Sequence, residues 1–215
     1  MKTDHKQGIG SLAIKRIYCA GPLFNPKERD EMQQIADSLE SAGFGVFLPQ
    51  RDGLEMARIV SALVDEGMNN RQANQLLAKA IFHIDTYQVA KCDGLVLNLN
   101  GRVPDEGAMV EAGIAWALKR PVVIYKNDAR SALLGQDNPL VLGLASFKTI
   151  REIGELPTAF SLAFAKNLGN ADDWLMLADQ VVRNLDRGAR LQRIFTQRRV
   201  NRANAERLAK VLEEA

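Results

Sequence analysis

The stretch Gly94-Leu-Val-Leu-Asn98-Leu-Asn-Gly-Arg-Val-Pro-Asp105-Glu-Gly-Ala-Met-Val-Glu111-Ala-Gly-Ile-Ala-Trp-Ala-Leu118 decides the fold. Its opening apolar run has the length and bounds of a buried strand, within an expected Asp93–Leu99. From Glu106 the small and apolar residues recur at helical spacing as far as Leu118, before Lys119-Arg120. A strand that hands over to a helix through a Gly-containing loop is the unit of an α/β sheet, and ligands bind where such loops gather at the carboxyl ends of the strands. Two carboxylates sit at this handover. Asp105 is placed to cap the helix, where free backbone N–H groups and the helix dipole stabilise it. Glu111 has Ala108, Ala112, Ala115 and Leu118 around it on the helix, so an unpaired charge there is costly. It needs a buried partner, such as a Tyr hydroxyl.

The same alternation continues on both sides. Ile14–Ala20 reads as a first strand, stopped by Gly21-Pro22. Asn25 caps the next helix, with Pro26 at its first position and Glu28 three residues after the cap. Met32, Ile35, Ala36, Leu39 and Ala42 mark its inner face. Phe44–Leu48 is a second strand, Pro49–Gly53 a loop, and Leu54–Glu66 a short helix. Gln72–Lys91 is a long helix with Leu76, Leu77, Ala80, Ile84, Tyr87 and Val89 inward. Pro121–Tyr125 is a fourth strand, Lys126–Ser146 a loop, and Phe147–Ile150 a fifth strand. The fold class is therefore α/β, a flavodoxin-like doubly wound parallel sheet of five strands. Beyond Gly154 no strand-like run occurs; Pro157–Asn167, Ala171–Asp186 and Ala189–Glu214 read as helices, a C-terminal all-helical extension. The expected organisation is a flexible leader over residues 1–13, a catalytic domain over 14–154 and the extension over 155–215.

Bulk properties exclude several classes. The chain has 215 residues, 47% hydrophobic and 25% charged, with a formal net charge of +2. That is ordinary for a globular protein and exerts no general pull on nucleic acid or membrane. Two cysteines, Cys19 and Cys92, and two histidines, His5 and His83, have no metal-ligand spacing, so neither a metal site nor a disulfide framework is expected. No apolar run is long enough to span a bilayer or to form a signal core, and a cytoplasmic location is expected. No glycine loop of the P-loop or dinucleotide type is present, and no Ser/His/Asp or Cys/His set stands out. The arginines between Arg183 and Lys210 read as a solvated helical face, with an oligomerisation arm, a lid or a basic surface for a polyanion as the other readings of the extension.

Three further residue groups bear on chemistry. Tyr18 lies on the first strand, beside the third in such sheets, where its hydroxyl can donate to a carboxylate; a plain core aromatic is the other reading. Asp85 lies within a helix, where aspartate is mildly unfavourable, although a solvated face accounts for it as well. Gly21-Pro22-Leu23-Phe24 ends the first strand, so Phe24 can wall a pocket for a flat heterocycle, or the segment is only a turn.

Taken together, these blocks resemble the nucleoside 2-deoxyribosyltransferase family. The resemblance rests on Arg16-Ile-Tyr-Cys-Ala-Gly-Pro-Leu-Phe-Asn25, on Asp85 eight residues before Asp93, and on Asn98 to Gly113, and it spans Lys15–Ile150. It implies that Glu111 is the nucleophile, Tyr18 its hydrogen-bonding orienter and Asp85 the acid that protonates the departing base. It implies further that Asp105 binds the sugar 5′-hydroxyl and that a residue from a neighbouring subunit completes the site, for which Asn138 is the candidate. Gly21 and Phe24, with Gln50 or Asp52 of the loop after the second strand, would contact substrate. The implied reaction moves a 2-deoxyribosyl group between nucleobases through a glycosyl-enzyme, with a deoxynucleoside and a free nucleobase as partners, no cofactor, and a homo-oligomer of two or more copies. Hydrolysis of the same N-glycosidic bond, in a deoxynucleoside or its 5′-monophosphate, is the alternative. Asp105 would repel a phosphate, which favours the nucleoside. A module that binds nucleotide ligands without catalysis is the third reading.

Overall fold

The computed structural model describes residues 14–54, 56–101, 104–129, 137–166, 179–195, 207–208 and 210–211. In it the apolar runs pair into one all-parallel sheet of β1 (Arg16–Ala20), β2 (Gly45–Phe47), β3 (Gly94–Asn98), β4 (Val122–Tyr125) and β5 (Thr149–Ile150). The spatial order is β2-β1-β3-β4-β5, the flavodoxin-like order. Its direction of winding reverses between β1 and β3, which opens a crevice at their carboxyl ends.

Helices cover both faces. Alternation along β1 sends Ile17 and Cys19 to one side and Tyr18 and Ala20 to the other. The first side packs on α1 (Pro26–Ser41) and α7 (Leu156–Lys166), with Met32, Ile35, Leu39, Val96, Leu156 and Phe160 fully buried. The second packs on α5 (Glu106–Ala117) and the end of α4 (Asn70–Lys91), through Val89, Leu95, Leu97, Ala108, Ala112 and Ala115. A third cluster joins α3 (Met56–Asp65), α4 and α8 (Asp179–Phe195) through Ile59, Leu63, Leu77, Ala80, Ile84 and Leu191. Burying each such aliphatic or aromatic side chain contributes roughly 1.5–3 kcal/mol. The long helix α4 thus has its back against α8 and its last turns beneath the sheet.

Local signals explain most boundaries. Asn25 caps α1 by accepting from Glu28 N at 3.0 Å, while the Glu28 carboxylate takes the Phe24 N–H rather than that of Asn25. Asn69 and Gln72 form a reciprocal capping box, so α4 starts at Asn70, ahead of the expected Gln72. Two expected loops contain short helices. In α2 (Pro49–Asp52), Pro49 opens the turn and Asp52 folds back to accept from Leu48 N at 2.9 Å. In α6 (Pro139–Leu144), Asn138 is the cap and Pro139 the first residue. Ser146 and Phe147 then take left-handed backbone, φ 52° and 61°, so the fifth strand begins at Thr149 instead of Phe147.

A helix break was expected between Asp186 and Ala189, but α8 runs unbroken through Gly188. A side chain there would overlap the His83 carbonyl and Tyr87, so the glycine serves close packing of α8 on α4 rather than a stop. The expected leader, residues 1–13, lies outside the described residues, as do 167, 171–178, 196–206, 209 and 212–214 of the expected C-terminal helices. Among the described residues, no helix is long and apolar enough to cross a membrane, and Cys19 and Cys92 are buried free thiols.

Candidate active site

Tyr18 has no exposed surface. Its ring stacks on Phe47 of β2, centroids 5.2 Å apart, and its hydroxyl donates to Oε1 of Glu111 at 2.6 Å. This bond spans the β1–α5 interface, because Tyr18 faces α5 and the small residues Ala108, Ala112 and Ala115 let the helix lie close to the sheet. The second carboxylate oxygen of Glu111 takes no hydrogen bond from the described residues. Burial is the main force on the group and pushes its pKa up to about 8. The Tyr18 hydrogen bond opposes that rise, while the negative charges of Asp85 and Asp105 add to it. Burial also raises Tyr18 itself well above the ordinary phenol value, with Glu111 and Asp85 contributing in the same direction.

Asp85 is not on a solvated face. It lies partly buried on α4, near enough for its charge to act on both Tyr18 and Glu111, and burial raises its pKa to about 6. Asp105 is the N-cap of α5: its Oδ1 accepts from Ala108 N at 2.7 Å. Its Oδ2 takes no hydrogen bond from the described residues. Tyr18, Asp85, Asp105 and Glu111 therefore form one electrostatically coupled group at the β1/β3 crevice. Two of its carboxyls titrate above their usual range, so the coupled pair Asp85 and Glu111 holds one proton between about pH 6 and 8. Glu111, the more basic of the two, holds that proton most of the time; the minority form, with the proton on Asp85, presents a nucleophile beside an acid.

The other sequence candidates have different surroundings. Gly21 ends β1 where a Cβ would come within 2.6 Å of Met32 Sδ and 2.8 Å of Asn98 Cβ, so its lack of a side chain serves the packing of α1 against β3. Phe24 is 78% exposed at the crevice end of β1. Gln50 donates to the Arg29 carbonyl at 2.9 Å, and Asp52 is held by Leu48 N and by Arg51 at 2.9 Å, so both have structural partners in α1 and α2. Asn138 is exposed and, as the cap of α6, accepts from Leu140 N at 2.9 Å.

A polar network behind the crevice escaped the sequence reading. Glu31 of α1 accepts from Asn98 Nδ2 through Oε2 at 2.8 Å and from Asn100 Nδ2 through Oε1 at 2.9 Å. Asn98 Oδ1 accepts from Asn100 N, and Asn100 Oδ1 accepts from Asn127 N and Asp128 N. Asp128 takes the Gly101 N–H at 2.9 Å and pairs with Lys126 at 2.9 Å. The available signal was Asn98-Leu-Asn100, two amides that close a strand otherwise made of apolar residues. Among the described residues, no cluster of His, Cys, Asp or Glu has the arrangement of a metal site.

The model of the family described as nucleoside 2-deoxyribosyltransferase matches residues 17–155. No curated protein matches the chain. Among solved structures, a conserved protein from Enterococcus faecalis V583 is 22% identical and aligns over 70% of this chain and 99% of its own, with a TM-score of 0.52. A 2-deoxyribosyltransferase from Bacillus psychrosaccharolyticus is 18% identical over 66% of this chain and 90% of its own, TM-score 0.48. A CMP N-glycosidase from Clostridium botulinum is 16% identical over 69% and 98%, TM-score 0.39. The likeness to the Enterococcus faecalis protein speaks for a shared fold alone.

Proposed function

The chain belongs to the nucleoside 2-deoxyribosyltransferase family, and on that premise we propose that it moves a 2-deoxyribosyl group between nucleobases through a covalent bond to Glu111. The observation that carries this reading is the 2.6 Å hydrogen bond from Tyr18 to Glu111. It holds one oxygen of a carboxylate on an otherwise apolar helix face and leaves the other without a hydrogen bond from the described residues.

In the first half-reaction a Glu111 oxygen bonds to C1′ of the deoxynucleoside while the C1′–N bond breaks through an oxocarbenium-like transition state. The electron pair of that bond leaves with the base, and the proton of Asp85 passes to the base nitrogen, so the base departs neutral. In the second half-reaction a nitrogen of the incoming base bonds to C1′, the C1′–O bond to Glu111 breaks, and the N–H proton of that base returns to Asp85. Two displacements at one carbon restore the original anomer. Tyr18 orients Glu111 and moderates its basicity, and Asp105 accepts a hydrogen bond from the sugar 5′-hydroxyl. Its negative charge favours nucleosides over 5′-monophosphates. Water in place of the second base gives hydrolysis by the same steps. The exposed apolar side chains Val110 and Trp116 of α5 and Leu140 of α6 support self-association, since a second copy can cover them.

Incubation of deoxyinosine with adenine, followed by chromatography, tests the reading. New deoxyadenosine establishes transfer. Free hypoxanthine without deoxyadenosine means hydrolysis, and an unchanged mixture means that the site binds without reacting.

A further inference from the structure

Asn98 and Asn100 are 1% and 8% exposed, so the geometry of their amides is set by protein partners rather than by water. Their donors converge on one carboxylate: Glu31 receives Asn98 on one oxygen and Asn100 on the other, from a helix on the opposite face of the sheet to Glu111. Neither amide can be turned over. Asn98 Oδ1 is occupied by Asn100 N at 3.0 Å, and Asn100 Oδ1 by Asn127 N and Asp128 N at 2.9 and 3.2 Å. The turn leaving β3 is thereby tied to α1 on one side and to the end of β4 on the other. Gly101, at φ 123°, completes it by donating to Asp128.

Asp105 follows Gly101 by four residues and caps α5, six residues before Glu111. Four residues of chain reach at most about 14 Å, so the tethered turn restricts where the Asp105 backbone can stand. We propose that Glu31 is a positioning residue for substrate: through Asn98 and Asn100 it fixes the turn that, together with the α5 cap, sets the place of the Asp105 carboxylate. The inference rests on the reading of Asp105 as the group that accepts from the sugar 5′-hydroxyl. Only a carboxylate serves at position 31. It supplies two acceptors to two donors, whereas an amide of the same shape would turn its own N–H groups toward one of the asparagines.

Glu31→Gln therefore breaks one of the two bonds while it keeps the side-chain volume. With deoxyinosine as donor and adenine as acceptor, KM for deoxyinosine rises about tenfold, the value of one hydrogen bond to a charged group, and kcat stays within about twofold. With 2′,5′-dideoxyinosine, which lacks the hydroxyl, KM is the same in variant and wild type. A merely structural defect would penalise both donors alike, and that result overturns the proposal. Hydrogen exchange gives an arm independent of turnover: the Asn100, Gly101, Asn127 and Asp128 amides exchange about tenfold faster in the variant, and unchanged protection also overturns it. If the wild type turns over neither donor, the proposed function fails, and the exchange arm still decides whether Glu31 holds the turn.

Discussion

Tyr18→Phe isolates the contribution of one hydroxyl. The ring and its stacking on Phe47 remain, and only the 2.6 Å bond to Glu111 is lost. That bond holds the Glu111 pKa down against burial and against the charges of Asp85 and Asp105, so its removal moves the pKa above the present value of about 8. A hydrogen bond to a charged acceptor is worth about 1.5–3 kcal/mol, or about one to two pH units. In the one-proton state the proton must sit on Asp85 for reaction, and the substitution shifts it toward Glu111. The plateau of kcat/KM should fall by about 10- to 100-fold. The acid limb, near 6 from Asp85, should stay in place, while the alkaline limb, near 8, should move up. The assay is base exchange from deoxyinosine to adenine, measured from pH 5 to 10. A lower plateau with an unmoved alkaline limb would refute the coupling between Tyr18 and Glu111, whatever the loss in rate.

Asp85→Asn removes the proton donor, so exchange from deoxyinosine should slow by about 10²–10⁴-fold. A donor whose base carries electron-withdrawing groups, and so leaves without a proton, should lose far less; equal losses on both donors would assign Asp85 another role. For Glu111, burial raises the folded-state pKa from 4.5 to about 8, so the neutral form stabilises the fold below about pH 4.5 and that stability is lost as pH rises through 8. Glu111→Gln should abolish turnover and raise Tm relative to wild type at pH 8.5 but not at pH 4.5. At about 1.4 kcal/mol per pH unit the upper limit of the gain is on the order of 5 kcal/mol. Gly188→Ala puts a methyl group against Tyr87 Cβ, 2.5 Å away, and should cost about 1–3 kcal/mol in urea unfolding as α8 is forced off α4.

What the sequence reveals here depends on the range of the interactions. The β3–α5 handover is local, and its periodicity shows it directly. Glu111 could be read as needing a partner because its helix neighbours are small, and β1, expected beside β3, carries Tyr18; Tyr125 of β4 is also buried beside β3 but faces the other side of the sheet. Glu31 could not be read in this way. Its partners lie 67 and 69 residues away, and among Glu28, Arg29 and Asp30 it resembles one more exposed charge. Pro49 and Pro139 serve equally as loop residues and as first residues of a helix, so α2 and α6 were hidden by their own start signals. Gly188 carried the opposite ambiguity. Glycine costs about 1 kcal/mol in a helix relative to alanine, which argues for a break until the backbone of α4 is known to lie against it. The bond that Gln50 donates to the Arg29 carbonyl, 21 residues back in the chain, could not be read from spacing either.

The match to the family model ends at residue 155, and α7 begins at the next residue. Leu156 and Phe160 of that helix have no exposed surface, and Gly94 lacks a side chain where the Phe160 ring would come within 3.0 Å of one. The stretch that matches the family model and the unit that folds therefore do not share a boundary. A fragment cut at residue 155 would retain every candidate for the chemistry, yet it would leave Ile17, Val96 and Leu39 without the roof that α7 provides. The shortest piece worth expressing extends at least to Lys166.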